Sequence, residues 1–121
     1  MGKSYRVLVI DDSPFIFKAV KKSLEPHGFE IVGYAENGLQ GLELFEQCKP
    51  DIITLDITMP VMDGLETAAH LFKKDPSVRI IMLSAMGDND LIQAAQDIGI
   101  KRFLSKPFKA EDLLKTVQSI L

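Results

Sequence analysis

The sequence predicts an α/β fold, a (βα)5 doubly wound five-stranded parallel sheet, in a single domain over residues 1–121. Short apolar runs of strand length occur five times, and each is followed by apolar residues at helical spacing. Strict alternation of this kind is typical of a parallel sheet with helices on both faces. Right-handed crossovers then leave only a few possible topologies.

The first βα unit begins with a buried strand over residues 5–10. Ser13 and Pro14 then suit the N-cap and the first position of a helix, which Gly28 is expected to end. The residues expected on the buried side of this helix are Ile16, Val20 and Leu24.

The second unit has a less apolar strand, residues 29–35, which is therefore placed at the edge of the sheet. Its helix is expected to begin at Asn37-Gly38 and to end at Lys49-Pro50, with Leu39, Leu42 and Phe45 buried.

The third strand, residues 51–56, ends abruptly on Asp56, and Pro60 has no N–H with which to continue a central strand. Asp63, with Glu66 three residues later, predicts the start of the next helix. The residues expected to be buried there are Leu65, Ala68, Leu71 and Phe72.

The last two strands are predicted over residues 78–83 and 100–105. Asp88 and Gly99 suit the two ends of the helix between them, and a final helix covers about 110–121. The residues expected to be buried on these helices are Leu91, Ala94, Ala95, Ile98, Leu113, Leu114, Val117 and Leu121.

The amino-acid composition disfavours several classes of function. The net charge is −3 and no dense Lys/Arg cluster occurs, which disfavours direct binding of nucleic acid. No apolar run is long enough for membrane insertion, and no signal peptide is recognisable. The single cysteine, Cys48, forms no internal disulfide, which fits a cytoplasmic protein.

Polar side chains follow four of the five predicted strands: Asp11, Asp12, Asp56, Ser84 and Lys106. Parallel strands bring their carboxyl ends to one edge of the sheet, so these groups are expected to meet there. Three carboxylates repel one another, and oxygen ligands alone favour Mg²⁺ or Mn²⁺. A carboxylate nucleophile with a metal, a lysine and a hydroxyl predicts a phosphoryl-transfer site in which Asp56 accepts the phosphoryl group.

These residues, in the runs Asp11-Asp12, Asp56–Gly64, Ser84-Ala85 and Lys106-Pro107, resemble the receiver domain of two-component response regulators. The resemblance covers essentially the whole chain and is greatest to the stand-alone CheY-like receivers of chemotaxis. It implies a flavodoxin-like strand order of 2-1-3-4-5. It also implies a phosphorylation-activated signalling switch, not an enzyme.

The resemblance further implies that Asp56 receives its phosphoryl group from a histidine kinase. Asp12 and Asp56 would then bind Mg²⁺ directly, together with the backbone carbonyl of Thr58, and Asp11 would act mainly through bound water. The implied output surface consists of the fourth helix, fifth strand and fifth helix. It would bind a downstream protein target, such as the flagellar motor switch, and the chain would be a monomer.

Ser84 and Lys106 are implied to contact the bound phosphate, Phe103 to act as the switch aromatic, and the bond before Pro107 to be cis. Phe103 stands where well-known CheY proteins have tyrosine. Thr58 and Met86 occupy positions that tune dephosphorylation, and neither can orient water as an acid or amide does. Slow self-dephosphorylation is therefore expected.

Three alternatives remain open. The chain could be a receiver cut from a longer response regulator with a DNA-binding or enzymatic output. An aspartate-based phosphatase would need a second acid at Thr58. A flavin-binding flavodoxin-like protein would need a Ser/Thr/Gly-rich phosphate loop where Asp11 and Asp12 stand.

Overall fold

Five parallel strands form one sheet in the order β2-β1-β3-β4-β5 in the computed structural model, which describes residues 4–121. The strands are β1 (Tyr5–Ile10), β2 (Phe29–Ala35), β3 (Ile52–Asp56), β4 (Ile80–Ser84) and β5 (Arg102–Ser105). The helices are α1 (Pro14–Leu24), α2 (Gly38–Cys48), α3 (Gly64–Lys74), α4 (Asn89–Ile98) and α5 (Ala110–Ile120). The predicted architecture and strand order are confirmed.

Two hydrophobic cores lie on opposite faces of the sheet, because successive side chains of a strand point to opposite faces. Val7 and Val9 of β1 pack with residues of α1 and α5. Leu8 and Ile10 pack on the other face with residues of α2, α3 and α4. Among the described residues, no helix is both long and apolar enough to cross a membrane.

Side-chain caps fix the starts of three helices. The side chains of Ser13, Asn37 and Asp63 each accept a hydrogen bond from the backbone N–H three residues ahead, at 3.3, 2.8 and 2.8 Å. Asp88 lies at the N-cap position of α4 as predicted, but its carboxylate accepts a bond from the N–H of Ala85 at 2.7 Å instead. It therefore ties down the loop between β4 and α4.

Several expected boundaries and buried positions are wrong. Helix α1 ends at Leu24, and Gly28 instead ends a following 3-10 turn, with φ of 88°. Leu39 is 50% exposed, because Gly41 on the opposite side of α2 packs against Ile10 and turns Leu39 outward. Leu121, after the last residue of α5, is 41% exposed.

The strand register determines which residues meet at the carboxyl edge of the sheet. Ile10 of β1 pairs with Leu55 of β3, so the residues that follow them, Asp11 and Asp56, are neighbours. Ser84 of β4 pairs with Ser105, directly before Lys106. The polar residues at the carboxyl ends of four strands thus lie in one crevice; these strands are β1, β3, β4 and β5.

Candidate functional site

Asp56 ends a strand that is buried along its whole length, and it is itself only 6% exposed. The loop after it folds back, since the N–H of Gly64 donates to the carbonyl of Ile57 at 2.9 Å. A Cβ at Gly64 would collide with the backbone carbonyl of Asp56, so this return path requires glycine. The loop therefore packs against the backbone of Asp56, while the carboxylate of Asp56 contacts Lys106.

Lys106 links two of the acids. Its Nζ lies 2.9 Å from Oδ2 of Asp11 and 3.2 Å from Oδ1 of Asp56. The N–H of Lys106 donates to the carbonyl of Ser84 at 2.7 Å, which fixes the backbone below the side chain. The predicted lysine is thus in place, but its contact with Asp11 is shorter than its contact with the expected acceptor, Asp56.

The charges in the crevice shift two pKa values. Burial, together with the charge of Asp11, raises the pKa of Asp56 to about 6, although Lys106 and the N–H of Thr58 oppose the change. Burial alone lowers the pKa of Lys106, but hydrogen bonding and charge from Asp11, and then from Asp56, outweigh it and raise the pKa overall. The positive charge of Lys106 therefore does not fully neutralise the negative charge of the acids around it.

The remaining negative charge suits a divalent cation. Carboxylate oxygens of Asp11, Asp12 and Asp56 lie within 4.8 Å of one another, and all three donors are hard oxygen ligands. Asp11 already accepts from the N–H of Ser13 at 2.9 Å through Oδ1 and pairs with Lys106 through Oδ2. Asp12 is exposed. The residues present therefore fit Mg²⁺.

A cavity of about 240 Å³ lies beside Lys106, and its lining also includes Ser84 and Met86. Ser84 is buried at the end of β4, while Met86 is 99% exposed. The bond between Lys106 and Pro107 is cis, as the resemblance implied. Phe103 is half-buried and packs against the core that lies under α2, α3 and α4.

Two features of the site escaped sequence reasoning. Val61, in the loop after Asp56, has φ of 71°, which is unusual for a β-branched residue; no sequence pattern revealed it. Burial and the charges of Glu36, Asp11 and Asp12 raise the pKa of Tyr34, whose hydroxyl is buried without a partner among the described residues. The position of Tyr34 near the end of β2, at the same edge of the sheet, could have indicated that it lies near the site.

Residues 7–118 match the family model described as the response regulator receiver domain. The chain is 43% identical over 113 residues to the chemotaxis protein CheY of Listeria monocytogenes, covering 93% of this chain and 95% of that protein. Identity to CheY of Bacillus subtilis is 40% over 118 residues, with 98% of each covered. A solved CheX-CheY-BeF3-Mg complex from Borrelia burgdorferi aligns with a TM-score of 0.92 and 34% identity, covering 98% of this chain and 90% of that one.

Proposed function

We propose, because this chain belongs to the response regulator receiver domain family, that residues 1–121 form one receiver domain that acts as a phosphorylation-activated switch. Its phosphoacceptor is Asp56. The observation that carries this proposal is the buried carboxylate of Asp56 at a strand end, in contact with Lys106 and beside two further acids. The phosphodonor is a phosphohistidine of a histidine kinase.

The transfer uses the carboxylate of Asp56 as nucleophile. An O–P bond forms to the carboxylate while the N–P bond of the phosphohistidine breaks, and the imidazole leaves with the electron pair of that bond. The contacts of Asp56 Oδ1 with Lys106 and with the N–H of Thr58 orient the carboxylate before attack. Positioning and charge neutralisation are the main requirements of such transfers.

Mg²⁺, when bound, neutralises the phosphate oxygens as they approach the acids. Asp12, Asp56 and the backbone carbonyl of Thr58 would hold it, and Asp11 would act through water. Lys106 then exchanges part of its pairing with Asp56 for a phosphate oxygen. The Borrelia complex contains CheY with Mg²⁺ and BeF3, which supports this assignment for a relative of the same fold.

The surface that binds the downstream partner is formed by α4, β5 and α5. The phosphoryl group gains contacts to Ser84 and Lys106 only in the active arrangement, so phosphorylation favours that arrangement by the difference in contacts. Phe103, half-buried two residues before Ser105, turns inward as Ser84 moves. The partner is a protein, and the names of the relatives favour chemotaxis.

The experiment is labelling with acetyl phosphate, followed by intact-mass measurement. The wild-type chain should gain one phosphoryl group only when Mg²⁺ is present, and Asp56→Asn should gain none. Asp97→Asn, an exposed acid of α4, is the matched control and should label normally. Labelling that persists in Asp56→Asn, or that does not need Mg²⁺, would refute the assignment.

A further inference from the structure

A second cavity lies at the opposite, amino-terminal edge of the sheet, around the starts of β4 and β5. Its volume is about 350 Å³, larger than that of the cavity beside Lys106. Pockets for small molecules start at about 300 Å³. It lies at the opposite ends of the strands from the acids, and none of the residues proposed for phosphoryl transfer lines it.

Three cations line this cavity: Arg79, Lys101 and Arg102. No Asp or Glu is among its lining residues, and within residues 4–121 none of the three forms an ion pair. The whole chain has a net charge of −3, so a concavity with only positive side chains is unusual for this surface. Its potential attracts anions.

One of the cations is already oriented. Arg102 donates from Nε to the hydroxyl of Ser119 at 3.0 Å and from Nη1 to the carbonyl of Lys101 at 3.2 Å. These two bonds hold the guanidinium plane, so less side-chain entropy is lost when its remaining N–H groups bind an anion. The backbone of Arg79 is also fixed, because its carbonyl accepts from the N–H of Ile53 at 2.9 Å.

The rest of the lining is largely apolar. Phe72, Val78 and Ile120 are half-buried there, and Ile80 and Ile100 are each 3% exposed. Cations that are simply solvated at the surface do not need apolar side chains around them. An apolar wall beside a cluster of cations fits a ligand that has both an anionic head and an apolar body.

We propose that this cavity binds a small organic anion with an apolar body and a single carboxylate or phosphate head, the head held by Arg79, Lys101 and Arg102 and the body packed against Phe72, Val78 and Ile120. Arg side chains suit either head, because their N–H groups match carboxylate and phosphate oxygens. The inference does not depend on the proposed switch function.

Titration of the ¹⁵N-labelled full chain without Mg²⁺, followed by amide chemical shifts, tests the proposal. The probes are phenylphosphonate and benzoate, with methylphosphonate as a head that lacks the apolar body. We expect saturable shifts at residues 77–80 and 99–102 with at least one aromatic probe. Methylphosphonate should bind about tenfold more weakly, because it buries little apolar area. The aromatic probe that binds more tightly identifies the preferred head.

Two exposed cations provide variants that leave the core untouched: Arg79→Gln and Lys101→Gln. Each should weaken binding about five- to tenfold, the usual net effect of losing one hydrogen bond. Lys22→Gln, an exposed cation of α1 outside the cavity, is the matched control and should not change it. Shifts that do not saturate, that centre on Asp56, or that are equal for methylphosphonate and the aromatic probes would overturn the proposal. An equal loss in Lys22→Gln would also overturn it, since it would indicate general attraction of anions.

Discussion

Asp56 destabilises the metal-free fold at neutral pH, because its carboxylate is buried beside another acid. Its pKa rises from 3.8 to about 6, so between these pH values the folded chain binds more protons than the unfolded chain. Protonated Asp56 therefore contributes to the free energy of unfolding. This contribution is fully present below about pH 4 and is lost as the pH rises through 6.

Asp56→Asn should accordingly stabilise the metal-free protein at pH 7 by about 1–2 kcal/mol, since one pKa unit corresponds to ~1.4 kcal/mol and loss of pairing with Lys106 offsets part of the gain. The measurement is urea denaturation between pH 4 and pH 8 with chelator present. The difference between variant and wild type should shrink toward pH 4. A gain that stays constant over the whole range would show that the carboxylate charge is not its cause.

Val61 stores backbone strain in the loop after Asp56. Its φ of 71° lies in the left-handed region, and its side chain is 77% exposed, so packing does not repay the strain. Val61→Asn should raise the free energy of unfolding by about 1 kcal/mol, because asparagine tolerates this region better. Thermal and urea unfolding measure it. Val61→Ala removes the β-branch but keeps a Cβ, so it should gain less; an equal gain would point to the loss of an exposed apolar side chain instead.

Among the secondary-structure elements, α2 and β1 make a close contact that the sequence did not predict. A Cβ on Gly41 would lie 2.6 Å from Cδ1 of Ile10, which is fully buried. Gly41→Ala should therefore destabilise the fold by about 1–3 kcal/mol through overpacking, despite the better helix propensity of alanine. Urea denaturation measures the change. Leu39→Gln, on the exposed side of the same helix, should change stability by less than about 0.5 kcal/mol.

The same helix shows what could be predicted from the sequence. Its N-cap Asn37 was predictable, because capping depends on a residue type at one local position. Leu42 and Phe45 pack on the core as predicted. The exposure of Leu39 was not predictable, since it depends on the close approach of Gly41 to Ile10. The candidate site divides in the same way. Strand ends predicted which groups meet, while the pairing of Lys106 with Asp11 depends on tertiary distances.

For the whole molecule, the clusters of charged residues at the two edges of the sheet differ in sign. Acids and Lys106 gather at the carboxyl edge, and uncompensated cations at the amino edge. The α4–β5–α5 surface runs between these edges, and each strand is a stiff connection through a buried core. In the proposed switch, a change at Asp56 reaches the α4–β5–α5 surface through β4 and β5, and Arg102 of β5 and Ser119 of α5 also line the second cavity.

Phe103 is the residue through which this coupling should be measurable. It lies on β5, paired with the fully buried Met82, and is only half-buried itself, so it has room to move inward when Ser84 is drawn to a phosphate. With Phe103→Ala, Asp56 should still be labelled in the presence of Mg²⁺. The amide shift changes over α4, β5 and α5 on adding beryllofluoride with Mg²⁺, a mimic of the phosphoryl group, should nevertheless be much smaller than in wild type. The physical reason is that a ligand shifts a two-state equilibrium only by its differential affinity, and loss of the aromatic ring removes a contact made only in the active state.

Leu104→Ala is the matched control for this experiment. Leu104 follows Phe103 on the same strand, is also half-buried, and packs on the opposite face with the core under α1 and α5. Its truncation should lower stability and leave the beryllofluoride-induced shifts over α4 largely intact. Full-sized shifts in Phe103→Ala, or an equal reduction in both variants, would show that the signal travels through strand β5 as a whole and not through the movement of this ring.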